Sequence, residues 1–84
     1  MTIRELFSCI DTDSCTRMNV KPFGQNVIHL FVDWQNTQDP DFNVFDRIAD
    51  LRIKFWYVTC DGMIRITSYD SIDPMTAEFI EEVL

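Results

Sequence analysis

Leu51-Arg52-Ile53-Lys54-Phe55-Trp56-Tyr57-Val58-Thr59, then Cys60-Asp61-Gly62, then Met63-Ile64-Arg65-Ile66-Thr67-Ser68, is the stretch that decides the fold. The first nine residues are rich in aromatic and β-branched side chains, which suit a pleated, half-buried strand. From Met63 to Ser68 apolar and polar residues alternate with period two, the mark of a strand with one face covered. The Asp61-Gly62 pair between two such runs predicts a hairpin, because a type I′ turn needs positive φ at both central residues.

Upstream, Asp39-Pro40 reads as a helix start, with a cap followed by proline in the first turn. Phe42, Phe45, Ile48 and Ala49 continue at helical spacing. Val27 to Val32 is an apolar run interrupted only by His29 and reads as a central strand. Arg17-Met18-Asn19-Val20-Lys21 alternates and pairs with it across Pro22–Asn26, where Gly24-Gln25-Asn26 supplies turn residues. At the start of the chain Thr2 and Glu5 fit a capping box, and Ile3, Leu6, Phe7 and Ile10 form one helical stripe. Downstream, Asp73-Pro74 opens a last helix with Met75, Phe79, Ile80 and Val83 on its apolar side.

The order α-β-β-α-β-β-α predicts one α+β domain over residues 1–84. It is a two-layer sandwich: a mostly antiparallel four-stranded sheet with helices on one face. Strand parity then sorts the side chains. Met18, Val20, Ile28, Leu30, Val32, Ile53, Phe55, Tyr57, Ile64 and Ile66 are expected to face the helices. Arg17, Asn19, Lys21, His29, Phe31, Arg52, Lys54, Trp56, Arg65, Thr67 and Tyr69 are expected on the open face.

The chain carries 14 acidic and seven basic residues, a formal net charge of −7. Five of the seven, Arg17, Lys21, Arg52, Lys54 and Arg65, fall in or beside predicted strands, while the acids collect in loops and on helices. Two surfaces follow. One is acidic: Asp33, Asp39, Asp41, Asp46 and Asp50, with Glu78, Glu81 and Glu82 on the last helix. Successive carboxylates can imitate a row of phosphates and occupy a basic cleft, so this surface suits a protein partner with a basic surface. The other is the basic and aromatic sheet face, Arg17, Phe31, Arg52, Lys54, Trp56 and Arg65. It suits a protein contact or a homodimer, since Trp, Tyr and Arg commonly anchor interfaces, and it is also the recipe for stacking single-stranded RNA or DNA bases. The net charge opposes the nucleic-acid reading.

No catalytic or cofactor motif is present, and none is expected. Asp11-Thr12-Asp13 lacks the glycine and terminal glutamate of an EF-hand loop. Cys9, Cys15, Cys60 and His29 lack the close pairs usual in a zinc site. An odd cysteine count without a CxxC pair points to reduced thiols and a cytoplasmic location. No apolar run approaches the ~18 residues of a membrane span.

Two motifs carry a resemblance. Thr2-Ile3-Arg4-Glu5-Leu6 and Asp61-Gly62-Met63-Ile64-Arg65-Ile66 resemble the opening helix and late hairpin of small acidic accessory proteins from phages and prophages of low-GC Gram-positive bacteria. That resemblance implies a mobile-element origin and a non-catalytic role. Some proteins of this kind inhibit host defence nucleases, as anti-CRISPR proteins do.

Overall fold

Cap chemistry places the helix starts. A computed structural model describes all 84 residues, Met1–Leu84. The elements are α1 (Ile3–Cys9), β1 (Cys15–Lys21), β2 (Ile28–Asp33), α2 (Pro40–Ile48), β3 (Ile53–Val58), β4 (Ile64–Ser68) and α3 (Pro74–Val83). Before α1, the Thr2 hydroxyl accepts the Glu5 N–H at 3.2 Å and the Glu5 carboxylate accepts the Thr2 N–H at 3.0 Å, a complete capping box. Asp73 caps α3 by accepting the Thr76 N–H at 3.3 Å, with Pro74 next. Asp39 stands at the start of α2 with Pro40 after it, but its side chain makes no cap bond.

The sheet order is β2-β1-β4-β3. Both hairpins are antiparallel, and they meet at one parallel pair, β1 with β4. The sheet is thus mostly antiparallel, in an α+β fold, as the sequence predicts. Met18, Val20, Ile28, Leu30, Val32, Ile64 and Ile66 form the buried side of the sheet, under Ile3, Leu6, Val44, Phe45, Ile48 and Ala49 from the helical layer. Each large apolar side chain removed from water here stabilises by about 1.5–3 kcal/mol. At one end Phe7, Trp34, Phe42 and Phe45 pack together; Trp34 and Phe45 meet edge-on with centroids 4.9 Å apart. The Trp34 indole N–H donates to the buried Thr16 hydroxyl at 2.8 Å, so its polar atom is satisfied. α3 buries no residue fully; Phe79, Ile80 and Val83 lie partly covered at the margin of the core.

The structure corrects three expectations. The run Val27–Val32, read as a central strand, forms β2 at an edge of the sheet, because β1 and not β2 makes the parallel pair with β4. The other two lie in the β3–β4 hairpin. One concerns parity along β3. Ile53 pairs with Ser68, but Phe55 pairs with Thr67, so Lys54 is an extra residue: a β-bulge. Beyond it every side chain changes sides. Trp56 and Val58 stand opposite the inward residues Ile66 and Ile64, while Phe55 and Tyr57 stand opposite Thr67 and Arg65 on the open face. A polar clasp pins the bulge. The buried Ser68 hydroxyl donates to the Arg52 carbonyl at 2.7 Å and accepts the Asp70 N–H at 2.9 Å. The Asp70 carboxylate accepts the Arg52 backbone N–H at 2.9 Å and holds its guanidinium at 2.7 Å.

The last correction is the turn at Asp61-Gly62. Only Gly62 has positive φ, +86°, so this is not a type I′ turn. The Gly62 N–H donates to the Thr59 carbonyl at 3.0 Å and the Thr59 N–H to the Met63 carbonyl at 2.8 Å. That is a three-residue loop, Cys60-Asp61-Gly62, whose glycine takes the left-handed position.

The clasp carries a pH dependence. The Arg52 guanidinium, with the Arg52 backbone N–H, draws the Asp70 carboxyl down from 3.8 to about 2. A carboxyl whose folded pKa is depressed stabilises fully above its unfolded pKa, and loses that contribution as pH falls through the folded value. Wild type is therefore expected to melt higher than Asp70→Asn above pH ~4, and the gap should close toward pH ~2. Thermal melts of both proteins across that window check it; a gap independent of pH would show that the ion pair contributes nothing.

Candidate functional site

The open face of the sheet is built from four strands. β1 contributes Arg17, Asn19 and Lys21, β2 contributes His29 and Phe31, β4 contributes Arg65 and Thr67, and β3 contributes Phe55 and Tyr57. Among these residues there is no carboxylate. The one acidic strand residue of this parity is Asp33, at the far end of β2. Phe31, Phe55 and Tyr57 are each about half exposed. A shallow groove of about 220 Å³ crosses β1, β4 and β3, with Lys21, Phe55, Tyr57 and Arg65 along it. Arg65 has no ion-pair or hydrogen-bond partner, and Tyr57 is its direct cross-strand neighbour. Lys21 is held in place, donating to the Gln25 and Pro22 carbonyls. Arg17 donates to the Asp61 carbonyl at 3.2 Å, with the Asp61 carboxylate 3.6 Å away. His29 Nδ1 lies 2.7 Å from the Asn19 side-chain oxygen.

Of the sheet-face residues expected from sequence, Arg17, Phe31 and Arg65 do share this face. Arg52 sits beside it, engaged by Asp70 and stacked near Tyr69 at 6.0 Å. Lys54 is the bulge residue, exposed and unpaired. Trp56 lies on the opposite side of the sheet. Phe55 and Tyr57 are the open-face residues that parity reasoning misplaced. The run Phe55-Trp56-Tyr57-Val58 is apolar at both parities, so no periodic signal in the sequence could have found them.

The acidic set is dispersed rather than gathered. Asp46 and Asp50 bind Arg4 at 3.2 and 3.0 Å and tie α1 to the end of α2. Asp41 accepts the Phe31 backbone N–H at 2.7 Å. Asp33 accepts the Gln35 N–H at 3.0 Å. Asp39 stands at the α2 N-terminus. Glu78, Glu81 and Glu82 are exposed on α3 without partners, and of these aspartates only Asp39 has none. Four of the five aspartates thus have structural work, and the free carboxylate row reduces to one helix face.

The three cysteines are free thiols, with Cys9 and Cys60 exposed. No cluster of three or more His, Cys, Asp or Glu side chains converges as a metal site would require. No helix is long and apolar enough to cross a membrane. Comparison with protein-family models, with curated proteins and with solved structures found no match to this chain.

Proposed function

We propose that the protein is a non-enzymatic accessory module that binds a protein partner through the open face of its sheet. The observation that carries this reading is the groove in which Phe55 and Tyr57 flank the unpaired Arg65, with no carboxylate among its lining residues in an otherwise acidic molecule. Aromatic and arginine side chains anchor interfaces because they supply large contact areas with fixed polar tips. The partner surface that fits is apolar with an acidic group to meet Arg65. The setting implied by the resemblance, inhibition of a host nucleic-acid enzyme by a phage-type protein, is compatible with such a contact. Capture of a basic partner by phosphate mimicry would run through Glu78, Glu81 and Glu82, because four of the five aspartates of the acidic set are engaged elsewhere.

Affinity capture from an extract of the source cells, with mass spectrometry, identifies the partner. Tyr57→Ala and Arg65→Glu should each weaken its binding by ~30-fold or more, the roughly 2 kcal/mol of an anchor residue. Glu78→Lys with Glu81→Lys should leave binding unchanged. The reverse pattern would replace the sheet-face reading by the acidic one. The same face has the components of a stacking platform for single strands. Binding of a labelled single-stranded oligonucleotide at physiological salt, abolished by Tyr57→Ala, would establish that second reading against the net charge.

A further inference from the structure

The two edges of the sheet are treated differently. At the β2 edge, α2 packs alongside and Asp41 accepts the outward Phe31 N–H. A carboxylate in that position blocks another strand from adding. At the β3 edge the first residues are covered: the Ile53 N–H donates to the Met1 carbonyl at 2.7 Å, and the Ile3 N–H to the Leu51 carbonyl at 3.1 Å. Beyond Ile53 nothing pairs. The Thr59 N–H bonds Met63 in β4, so by alternation the N–H and C=O groups of Trp56 and Val58 point away from the sheet. Around them Phe55 is 51% exposed, Trp56 39%, Tyr57 49% and Val58 55%. From Phe55 to Val58 the strand itself carries no charge and no proline; Lys54 and its bulge lie at one end, and the loop residues Asp11 and Asp13 line a groove with Trp56 and Val58 at the other.

We infer that the free half of the β3 edge pairs antiparallel with the same edge of a second copy, joining two four-stranded sheets into one continuous sheet. Charge selects the copy and the direction. Lys54, unpaired, lies at the N-terminal end of the free edge. At its other end Asp11, Asp13 and Asp61 line one groove with Trp56 and Val58, against the single base Arg17, which lies 3.6 Å from the Asp61 carboxylate. Antiparallel pairing brings each Lys54 to the acidic end of the other copy, whereas parallel pairing would set like charges together. With the two-fold axis at Tyr57, Trp56 of one copy stands opposite Val58 of the other. The outward groups of both residues then exchange four backbone hydrogen bonds, and Tyr57 meets Tyr57 on the open face.

A two-fold contact of this kind is self-complementary and closes. The three half-exposed rings and Val58 offer on the order of 400 Å² per copy, before Lys54 and backbone are added. The pair therefore belongs at the small, reversible end of specific interfaces, about 1,000 Å² in total. It brings Phe55 and Tyr57, one wall of the groove at Arg65, to the seam and sets two such grooves on one surface. The pairing does not depend on the partner proposed above.

Sedimentation velocity over a dilution series tests it with the purified protein alone. Wild type should shift from the 9.9 kDa monomer toward twice that mass as concentration rises. Val58→Pro removes an N–H that only the second copy uses, at an edge position where proline is tolerated. It should stay monomeric with an unchanged circular dichroism spectrum. Trp56→Lys, an independent edge-blocking change, should do the same. Lys54→Glu should raise the concentration needed for association by ~10-fold. Wild type that remains monomeric to ~1 mM would overturn the inference. So would a dimer that survives both Val58→Pro and Trp56→Lys, or one lost only on Phe31→Ala, which would place the contact on the sheet face.

Discussion

Phe45→Ala is expected to cost about 3–5 kcal/mol, the range for removing a large buried aromatic and leaving a cavity. Phe45 is 5% exposed and is the hub of the aromatic cluster. Trp34 meets it edge-on at 4.9 Å, Phe7 edge-on at 5.5 Å, and Phe42 lies at 6.5 Å. Such pairs add about 0.5–1.5 kcal/mol beyond area burial. A chain of 84 residues has a total stability of about 4–13 kcal/mol, so this one change consumes much of it. The consequence reaches the surface. Phe45 sits on α2, and α2 carries Asp41, the carboxylate that closes the β2 edge. Chemical denaturation followed by circular dichroism measures the loss. A value below about 1 kcal/mol would mean that the four rings do not pack as one unit.

Gly62→Val should destabilise by about 1–2 kcal/mol, and here the cause is backbone conformation alone. Gly62 has φ +86°, yet a Cβ built there meets no atom within 4 Å. There is room for a side chain but no favourable conformation for a branched one. Gly62→Asn should therefore recover most of the loss, because asparagine visits the left-handed region more readily. Melting curves of the two variants separate strain from crowding. Equal losses for valine and asparagine would contradict the left-handed assignment. Because the loop joins β3 to β4, its loosening should also weaken the register that places Tyr57 against Arg65.

Both outcomes bear on how the open face of the sheet is made. The groove on the open face needs Phe55 and Tyr57 turned outward, and they are turned by a bulge rather than by their own pattern. Lys54 is extra because Arg52, Ser68 and Asp70 close a polar clasp just before it. The same bulge puts Trp56 and Val58 on the helix side, where no helix reaches far enough to bury them. One local irregularity thus produces the aromatic groove on one face and the exposed edge pair on the other.

Much of this protein was legible in its amino-acid order. The Thr2–Glu5 capping box, the Asp39-Pro40 and Asp73-Pro74 starts, the alternation in β1 and β4 and the apolar run of β2 are all local signals, and local signals are carried by neighbouring residues. Two antiparallel hairpins and a helical layer follow from them. The inward set Met18, Val20, Ile28, Leu30, Val32, Ile64 and Ile66 was readable for the same reason: a one-residue slip would expose every one of them. The side taken by Phe55, Trp56, Tyr57 and Val58 was not, because four successive apolar residues satisfy either parity. Nor did the sequence reveal which carboxylates are free. Arg4 meets Asp46 and Asp50 across more than forty residues of chain, and Asp41 meets β2 only once α2 has packed. That β3 and not β4 lies at the edge depends on strand order, which the central parallel pair decides. Contacts between distant residues set these features, through a shared hydrogen-bond network and the closing of the sheet, and no stretch of sequence carries them alone.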